Sequence, residues 1–293
     1  MGPTLAFTAI VLISVNLRPG ATSVGPVLEE LRSGLGMSAG VAGVMTALPG
    51  LCFAVAGALA IPLARRSGLT GGTTLGMAAI VLGLVLRSFT GALWLFLVLS
   101  VVALAGMAVG NVLVPAWIKR HAGNREGLLM ALYSSGLTLG GSIASLSAAP
   151  MAAQLAGGWR TALGIWAALA LVALVPWAVM THREHRDPDD HRAPDEGPWG
   201  RLTGSRTALA LCLYFGVQAT NAYVQFGWLP QIYRDAGLSA ETAGALTSVV
   251  AGLGVVGGLV MPGLITRSAN LSWAMLVLGV IMVAGYLGLL WAP

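Results

Sequence analysis

Charged residues are scarce in this sequence of 293 residues. Lys and Arg number 16 and Asp and Glu number 11, so 9% of the chain is charged while 56% is hydrophobic. Soluble domains carry about 25% charged residues, which keep their surfaces hydrated. The composition therefore argues against a soluble enzyme, a secreted disulfide scaffold and a nucleic-acid-binding protein. It predicts a protein that crosses the lipid bilayer many times.

Cysteine and histidine are also rare, which argues against a metal site or a cofactor. Cys52 and Cys212 lie in separate apolar runs and are expected to be buried free thiols. His182, His185 and His191 share one polar stretch, but no cysteine or framing scaffold accompanies them. A solvated linker explains these histidines better than a metal site does, and we expect no cofactor.

Nine apolar runs are long enough to cross a membrane as helices, because a spanning helix needs about 20 mostly apolar residues. They cover residues 4–27, 38–63, 70–88, 91–117, 126–153, 160–180, 207–229, 240–265 and 270–291. Small residues at Gly106-xxx-Gly110 and Gly136-xxx-Gly140 favour close helix packing. The sequence thus predicts an all-α membrane protein.

The basic residues predict the orientation of these spans. With a cytoplasmic N-terminus, eleven Lys and Arg residues fall in inside loops and four in outside loops, a bias that supports this orientation. The inside set is Arg65, Arg66, Lys119, Arg120, Arg125, Arg183, Arg186, Arg192, Arg201, Arg206 and Arg267, and the outside set is Arg32, Arg87, Arg160 and Arg234. Arg18 is left inside a span.

A polar stretch divides the spans into six and three. Residues 181–206 contain charges of both signs and several prolines, which is typical of a solvated linker. We therefore expect an N-terminal six-helix bundle over residues 1–180, a cytoplasmic linker over 181–206 and a partial C-terminal bundle over 207–293.

An internal repeat relates the two sides of this linker. Residues 36–46, GMSAGVAGVMT, align without gaps with residues 237–247, GLSAETAGALT, and six of the eleven positions are identical. The second span is thus repeated as the eighth. Duplicated six-span halves are the plan of major-facilitator transporters, and this plan has twelve spans where nine are found.

Several motifs resemble one branch of that superfamily. The segments Asn16-Leu17-Arg18-Pro19, Thr22-Ser23-Val24-Gly25-Pro26 and Gly110-Asn111-Val112-Leu113-Val114-Pro115 resemble the cyanate/2-nitroimidazole transporter family, as do Gly158-Trp159-Arg160 and Trp228-Leu229-Pro230. The resemblance covers the whole chain and implies a twelve-helix carrier of small anionic or nitro-aromatic compounds in the cell membrane. By this resemblance the last three spans are missing.

Arg18 is the sharpest candidate for chemistry. Arginine at mid-membrane costs about 2.5–3.5 kcal/mol on insertion scales, so such residues usually face a protein interior or an aqueous cavity. Ser14, Arg18 and Thr22 share one helix face, and Pro19 is expected to open the helix locally. The planar guanidinium suits carboxylate-like or nitro oxygens. A structural arginine bonded to carbonyls of a neighbouring helix is the alternative.

A second polar stripe lies in the seventh span. Tyr214, Gln218, Asn221 and Gln225 follow helical spacing, and the repeat makes this span the counterpart of the first. Both stripes are therefore expected to line one central cavity and to bind the solute, with polar packing between helices as the alternative. Tyr223 and Trp228 are interpreted as packing residues or interfacial anchors.

Weaker candidates lie in spans four and five. Asn111 belongs to a motif of the resembling family, and the resemblance implies a site role for it. Tyr133, Thr138, Ser142 and Ser145 form a polar stripe in span five, although hydroxyls in membrane helices commonly bond their own backbone. Because no Asp or Glu lies inside a span, the sequence leaves the coupling ion open.

These features predict a secondary transporter of a small anionic or polar solute that works by alternating access. A rhomboid-type intramembrane enzyme is the first alternative, but all four histidines lie in loops and no Gly-x-Ser-x-Gly-like motif occurs. A truncated, non-transporting remnant of a carrier is the second alternative. Solute identity, transport direction and oligomeric state stay open.

Overall fold

The computed structural model describes residues 3–184, 205–267 and 271–291. These residues form helices, and no strand occurs within these ranges. The helices are α1 (Pro3–Asn16), α2 (Pro19–Thr22), α3 (Leu28–Leu35), α4 (Ala39–Phe89), α5 (Leu93–His121), α6 (Glu126–Gln154), α7 (Trp159–Glu184), α8 (Arg206–Asp235), α9 (Ala240–Arg267) and α10 (Leu271–Trp291). The predicted all-α class is confirmed.

The first span is a broken helix. Helix α1 ends at Asn16, and the chain resumes as α2 at Pro19, with Arg18 in a non-helical conformation (φ −122°, ψ −34°). The missing N–H of Pro19 favours this break, which the sequence predicted. The span then continues through a 3₁₀ turn at Gly25–Val27 and helix α3. It therefore ends at Leu35 and not at residue 27 as predicted.

Helix α4 contains the second and third spans. It runs for 51 residues, but Gly68 has φ 73° and ψ 168°, a conformation that separates two helical arms. Only glycine adopts such a backbone readily because it has no Cβ. The break coincides with the predicted boundary between residues 63 and 70.

Six of the nine predicted spans meet the length and apolarity that a membrane requires. Five helical segments of the described chain qualify, namely Thr4–Leu35, Ala39–Phe89, Leu93–His121, Gly123–Gln154 and Trp159–Glu184. Because α4 is broken at Gly68, these segments supply six spans. The three runs predicted after residue 206 are helical as α8, α9 and α10, and a shorter apolar stretch, Met275–Leu289, lies in α10.

The internal repeat extends to the helix caps. Ser38 Oγ accepts the N–H of Val41 at 3.3 Å and begins α4, while Ser239 Oγ accepts the N–H of Thr242 at 3.1 Å and begins α9. In each case a glycine with positive φ precedes the serine, Gly36 at 61° or Gly237 at 93°. Sequence and cap geometry together indicate that the two helices are related by duplication.

Small residues bring the helices into close contact, as predicted. A Cβ at Gly136 would overlap the Ser14 hydroxyl, and one at Gly140 would overlap the Val15 carbonyl oxygen, so α1 lies directly on α6. On α5, a Cβ at Gly106 would overlap the Gly76 carbonyl oxygen of α4. These glycines therefore act as packing residues that place the broken first span against its neighbours.

The outer surface of the helices suits a lipid environment. Large apolar side chains stand exposed along several helices, among them Leu51, Val55, Leu82, Trp94 and Leu171. A soluble protein rarely exposes so continuous an apolar surface. The chain is a multi-pass membrane protein.

Candidate functional site

Arg18 stands at the break in the first span. Its backbone carbonyl accepts the N–H groups of Ala21 and Thr22, each at 3.0 Å, and so begins the next helical turn. Its side chain is partly exposed. Among residues 3–184, 205–267 and 271–291, no hydrogen bond or ion pair to the guanidinium is found. The N–H donors of the Arg18 guanidinium are therefore available to a ligand near the middle of the first span.

Helices α6 and α8 surround this guanidinium. Gly141 of α6 gives room for the arginine stem, since a Cβ there would lie 3.4 Å from Arg18 Cδ. The charge also lies within electrostatic range of the Tyr133 phenol on α6 and the Tyr223 phenol on α8. The Arg18 side chain therefore lies near α6, which precedes the linker in the chain, and near α8, which follows it.

Ser14 and Thr22 share the face of Arg18 but are fully buried. Ser14 Oγ donates to the Val11 carbonyl at 2.9 Å, and Thr22 Oγ1 donates to the Arg18 carbonyl at 3.2 Å. Their hydroxyls are thus satisfied within their own span. Solute binding by these two residues stays a prediction.

Asn111 and Tyr133 join α5 to α6 beside Arg18. The Tyr133 hydroxyl donates to Asn111 Oδ1 at 3.1 Å, and Asn111 Nδ2 donates to the Met107 carbonyl at 2.8 Å. The asparagine amide is therefore oriented by one neighbour on each side. This pair places an amide and a phenol side by side near the guanidinium.

Replacing Tyr133 with phenylalanine tests the role of the Tyr133–Asn111 hydrogen bond. The change removes one hydrogen bond and leaves Asn111 Oδ1 unpaired, which should lower the free energy of unfolding by about 1 kcal/mol. We also expect a two- to tenfold rise in the apparent KM for solute uptake, because a freed amide loses its orientation. Tyr233→Phe, which removes a hydroxyl with no hydrogen-bond partner among the described residues, is the matched control, and an equal KM in both variants would contradict the role.

The other span-five candidates divide into two kinds. Thr138 Oγ1 donates to the Ser134 carbonyl at 3.1 Å, as expected for a hydroxyl in a membrane helix. The buried hydroxyls of Ser142 and Ser145 have no hydrogen-bond partner among the described residues. The simple expectation of backbone bonding therefore fails for these two serines.

Two residues of the α8 stripe hydrogen-bond to α10, and within the described residues no hydrogen bond joins the stripe to Arg18. Gln225 Nε2 donates to the Tyr286 hydroxyl at 2.8 Å, Tyr286 donates to Asn221 Oδ1, and Asn221 Nδ2 lies 3.1 Å from the Met282 sulfur. Tyr214 and Gln218 are exposed. Another α8 residue, Tyr223, lies within electrostatic range of Arg18. The expected convergence of the two stripes on one cavity stays a prediction. Solute binding by the four stripe residues stays a prediction.

Tyr223 is a packing residue, as the sequence predicted, but its place at a cleft was not foreseen. Its ring packs on Phe53 of α4 with centroids 5.3 Å apart, and it lines a cleft beside the break in the first span. The cleft is lined by Gly20, Ala21, Val24, Gly25, Met45, Thr46, Pro49, Leu104, Tyr223, Phe226 and Gly227. The repeat held the signal, because its offset of 201 residues pairs Thr22 with Tyr223.

Arg87 corrects the sequence-based topology count. The sequence placed it in an outside loop, but it lies in the last turn of α4 with an exposed fraction of 0%. Its Nη2 donates to the Gly20 carbonyl at 3.1 Å, and its guanidinium lies 5.9 Å from the Phe96 ring centroid. Arg87 lies near the end of the predicted run 70–88, where α2 and α5 cover its side chain. Arg87 is therefore, with Arg18, a second arginine that lies next to α2.

One end of the cleft is closed by contacts between α8 and the first two spans. Arg234 Nη1 and Glu30 Oε2 form an ion pair at 3.0 Å. A Cβ at Gly25 would overlap the Phe226 carbonyl oxygen, and one at Gly227 would lie 3.0 Å from Thr46 Cβ. Close backbone approach thus seals the side on which α3 and the end of α8 lie.

The predicted linker lies mostly outside the described residues. Residues 181–184 belong to α7, so the helix continues slightly past the predicted boundary, and His185 and His191 fall outside the described ranges. Glu184 Oε1 accepts the Thr70 hydroxyl at 2.6 Å and fixes the end of α7 on α4. In the described part of the chain, no cluster of three potential metal ligands occurs.

Comparison with known proteins decides the family. The model of the Major Facilitator Superfamily matches residues 9–293. The chain belongs to this superfamily. Members built on this plan are transporters with related halves around a midplane site, which agrees with the broken first span and the repeated helix described above.

Curated relatives place this major-facilitator protein in the branch that the motifs indicated. An uncharacterised transporter, YycB, of Bacillus subtilis (strain 168) is 34% identical over 97% of this chain and 69% of the relative. The cyanate transport protein CynX of Escherichia coli (strain K12) is 30% identical over 97% and 72%. The 2-nitroimidazole transporter of the same organism is 32% identical over 86% and 63%.

Solved structures support the same fold. A D-xylose-proton symporter superposes with a TM-score of 0.61 at 15% identity, covering 90% of this chain and 69% of that one. The major-facilitator fold is thus confirmed, with six spans before the linker and three helices after it.

Proposed function

We propose that this major-facilitator protein carries a small anionic or polar solute, of the cyanate or nitroimidazole kind, at a site around Arg18. The observation that carries the proposal is the partly exposed guanidinium at the helix break, which has no hydrogen-bond or ion-pair partner in the described chain. Broken helices at the midplane commonly form transporter sites. A planar donor fork suits the linear or planar oxygen- and nitrogen-bearing groups of such solutes.

The charge balance of the site favours an anion over a cation. Arg18 and Arg87 both lie close to α2, and the described part of the chain supplies no carboxylate that pairs with either. Phenols from Tyr133 and Tyr223 add polar groups without adding charge. A cationic solute would meet repulsion here, whereas an anion would be neutralised.

We further propose alternating access between the bundle of residues 1–180 and the helices of 207–293. The Glu30–Arg234 ion pair and the tight contacts at Gly25 and Gly227 support a closed end on one side. With the N-terminus in the cytoplasm, this end faces outward. Solute entry or exit there requires these contacts to separate.

Cross-linking across the closed end is expected to stop transport. In a background with Cys52→Ala and Cys212→Ala, the pair Glu30→Cys and Arg234→Cys should be joined by a short reversible dithiol-reactive reagent. Uptake should fall at least about tenfold on cross-linking and return on reduction, because both states are needed for turnover. Glu30→Cys alone is the control. Full uptake by the cross-linked protein would contradict alternating access at this end.

Uptake by the chain in membrane vesicles tests the proposed cargo. Cyanate, 2-nitroimidazole, formate and acetate are the probes, and at least one should accumulate in an Arg18-dependent manner. Arg18-dependent binding without movement of any probe would favour the non-transporting alternative. Movement of every probe equally well without Arg18 would contradict the proposed site.

A further inference from the structure

Arg87 is a buried cation next to the proposed solute site. Its guanidinium is fully buried, and its Nε and Nη1 atoms find no hydrogen-bond partner among the described residues. Its protein contacts are the Gly20 carbonyl at 3.1 Å and the face of Phe96. Burial of an incompletely paired charge is destabilising. A role in packing alone would be filled better by a large apolar side chain.

The hydrogen-bond partner of Arg87, the Gly20 carbonyl, indicates what this residue does. Gly20 lies in α2, two positions after Arg18, and lines the cleft beside Tyr223. A Cβ at Gly20 would overlap Met107 Cε and lie 3.1 Å from Leu84 Cδ2, so α2 rests directly on α4 and α5. The hydrogen bond from Arg87 to the Gly20 carbonyl fixes the backbone of this short segment.

We propose that Arg87 is a positioning residue, which holds α2 by the Gly20 carbonyl and thereby sets where the Arg18 guanidinium stands beside the cleft that Gly20 and Ala21 line. The inference rests on the proposed solute site at Arg18. A break of two residues leaves Arg18 without the usual helical restraints. The fixed α2 supplies the restraint from its C-terminal side.

Two substitutions of Arg87 distinguish its hydrogen bond to Gly20 from its charge and from the volume of its side chain. Arg87→Met removes a buried charge and keeps an apolar side chain, so thermal stability should be equal to or above that of the wild type. Arg87→Lys keeps the charge, but its ammonium ends about one bond short of the position of Nη2 and so loses the Gly20 contact. Both variants should displace Arg18, whereas Ser88→Ala, the adjacent buried control, should not.

Charge-selective labelling measures the position of Arg18 without knowledge of the solute. Ala21→Cys is placed in the cleft of a chain with Cys52→Ala and Cys212→Ala. It is labelled with an anionic and with a cationic methanethiosulfonate. With Arg87 intact, the anionic reagent should react faster relative to a free thiol, and Arg18→Gln should remove that preference. Arg87→Met and Arg87→Lys should each reduce the preference by at least about fivefold, as expected when a unit charge moves away from the reacting thiol.

Each result bears on one of the two proposals. Absence of an Arg18-dependent preference in the chain with Arg87 intact would contradict the solute site itself, and with it the role of Arg87. A preference that survives in monodisperse Arg87→Met or Arg87→Lys protein would overturn the positioning role alone. Failure of both variants to fold, while Ser88→Ala folds, would also overturn it, because Arg87 would then be needed by the whole bundle and not by α2.

Discussion

Replacing Arg18 with glutamine is expected to lower uptake of an anionic solute by about 10- to 100-fold, because a hydrogen bond to a charged group contributes roughly 1.5–3 kcal/mol. The loss should appear at unchanged membrane abundance, since the guanidinium has no hydrogen-bonding or ion-pair partner in the described chain to leave unpaired. Arg18→Lys should retain part of the uptake, as it keeps the charge but loses the planar fork. Initial rates in membrane vesicles measure the effect.

The control for this loss is an arginine of equal charge outside the site. Arg66 is exposed near the break at Gly68, and Arg66→Gln should leave the initial rate within about twofold of the wild type, as surface changes usually do. Equal rates in Arg18→Gln and Arg66→Gln would contradict the assignment of Arg18 to the solute site.

The second large effect is expected at Gly140. A Cβ there would overlap the Val15 carbonyl oxygen, and a backbone atom cannot rotate away as a side chain can. Gly140→Val should therefore force α1 away from α6 and lower the free energy of unfolding by about 3 kcal/mol or more. Uptake should fall as well, because Arg18 follows Val15 by only three residues.

Gly127→Val on the same helix is the matched control, because no atom lies within 4 Å of a Cβ at Gly127. Thermal unfolding in detergent should separate the two variants by several degrees. Midpoints that agree within about 2 °C, which corresponds to roughly 1 kcal/mol or less for a chain of this size, would show that α1 does not rest on Gly140.

The sequence predicted features that depend on local chemistry. Pro19 indicated the helix break beside Arg18, and the repeat of residues 36–46 as 237–247 indicated two related spans, which the structure begins with the same glycine and serine cap. These features follow from a missing N–H, a left-handed glycine and a serine cap, all of which act within a few residues. Local signals of this kind are visible in the chain itself.

Features that depend on the rotation of a helix about its axis, or on which helix packs over a side chain, were predicted less well. Arg87 stands close to the end of the run 70–88 and was counted with the outside loop, because its cover by α2 and α5 is set by tertiary packing. Asn221 and Gln225 follow a clear polar stripe, yet they meet Tyr286 on α10, while Tyr223 packs on Phe53 of α4. Helical spacing defines which residues share a face but not which neighbour that face meets.

Titration of the purified chain with cyanate and with 2-nitroimidazole, followed by isothermal calorimetry, tests the central claim most directly. We expect saturable binding of at least one of the two compounds, and we expect Arg18→Gln to abolish it while Arg66→Gln preserves it. Equal affinities in the wild type and Arg18→Gln would show that the guanidinium at the helix break is not the solute site.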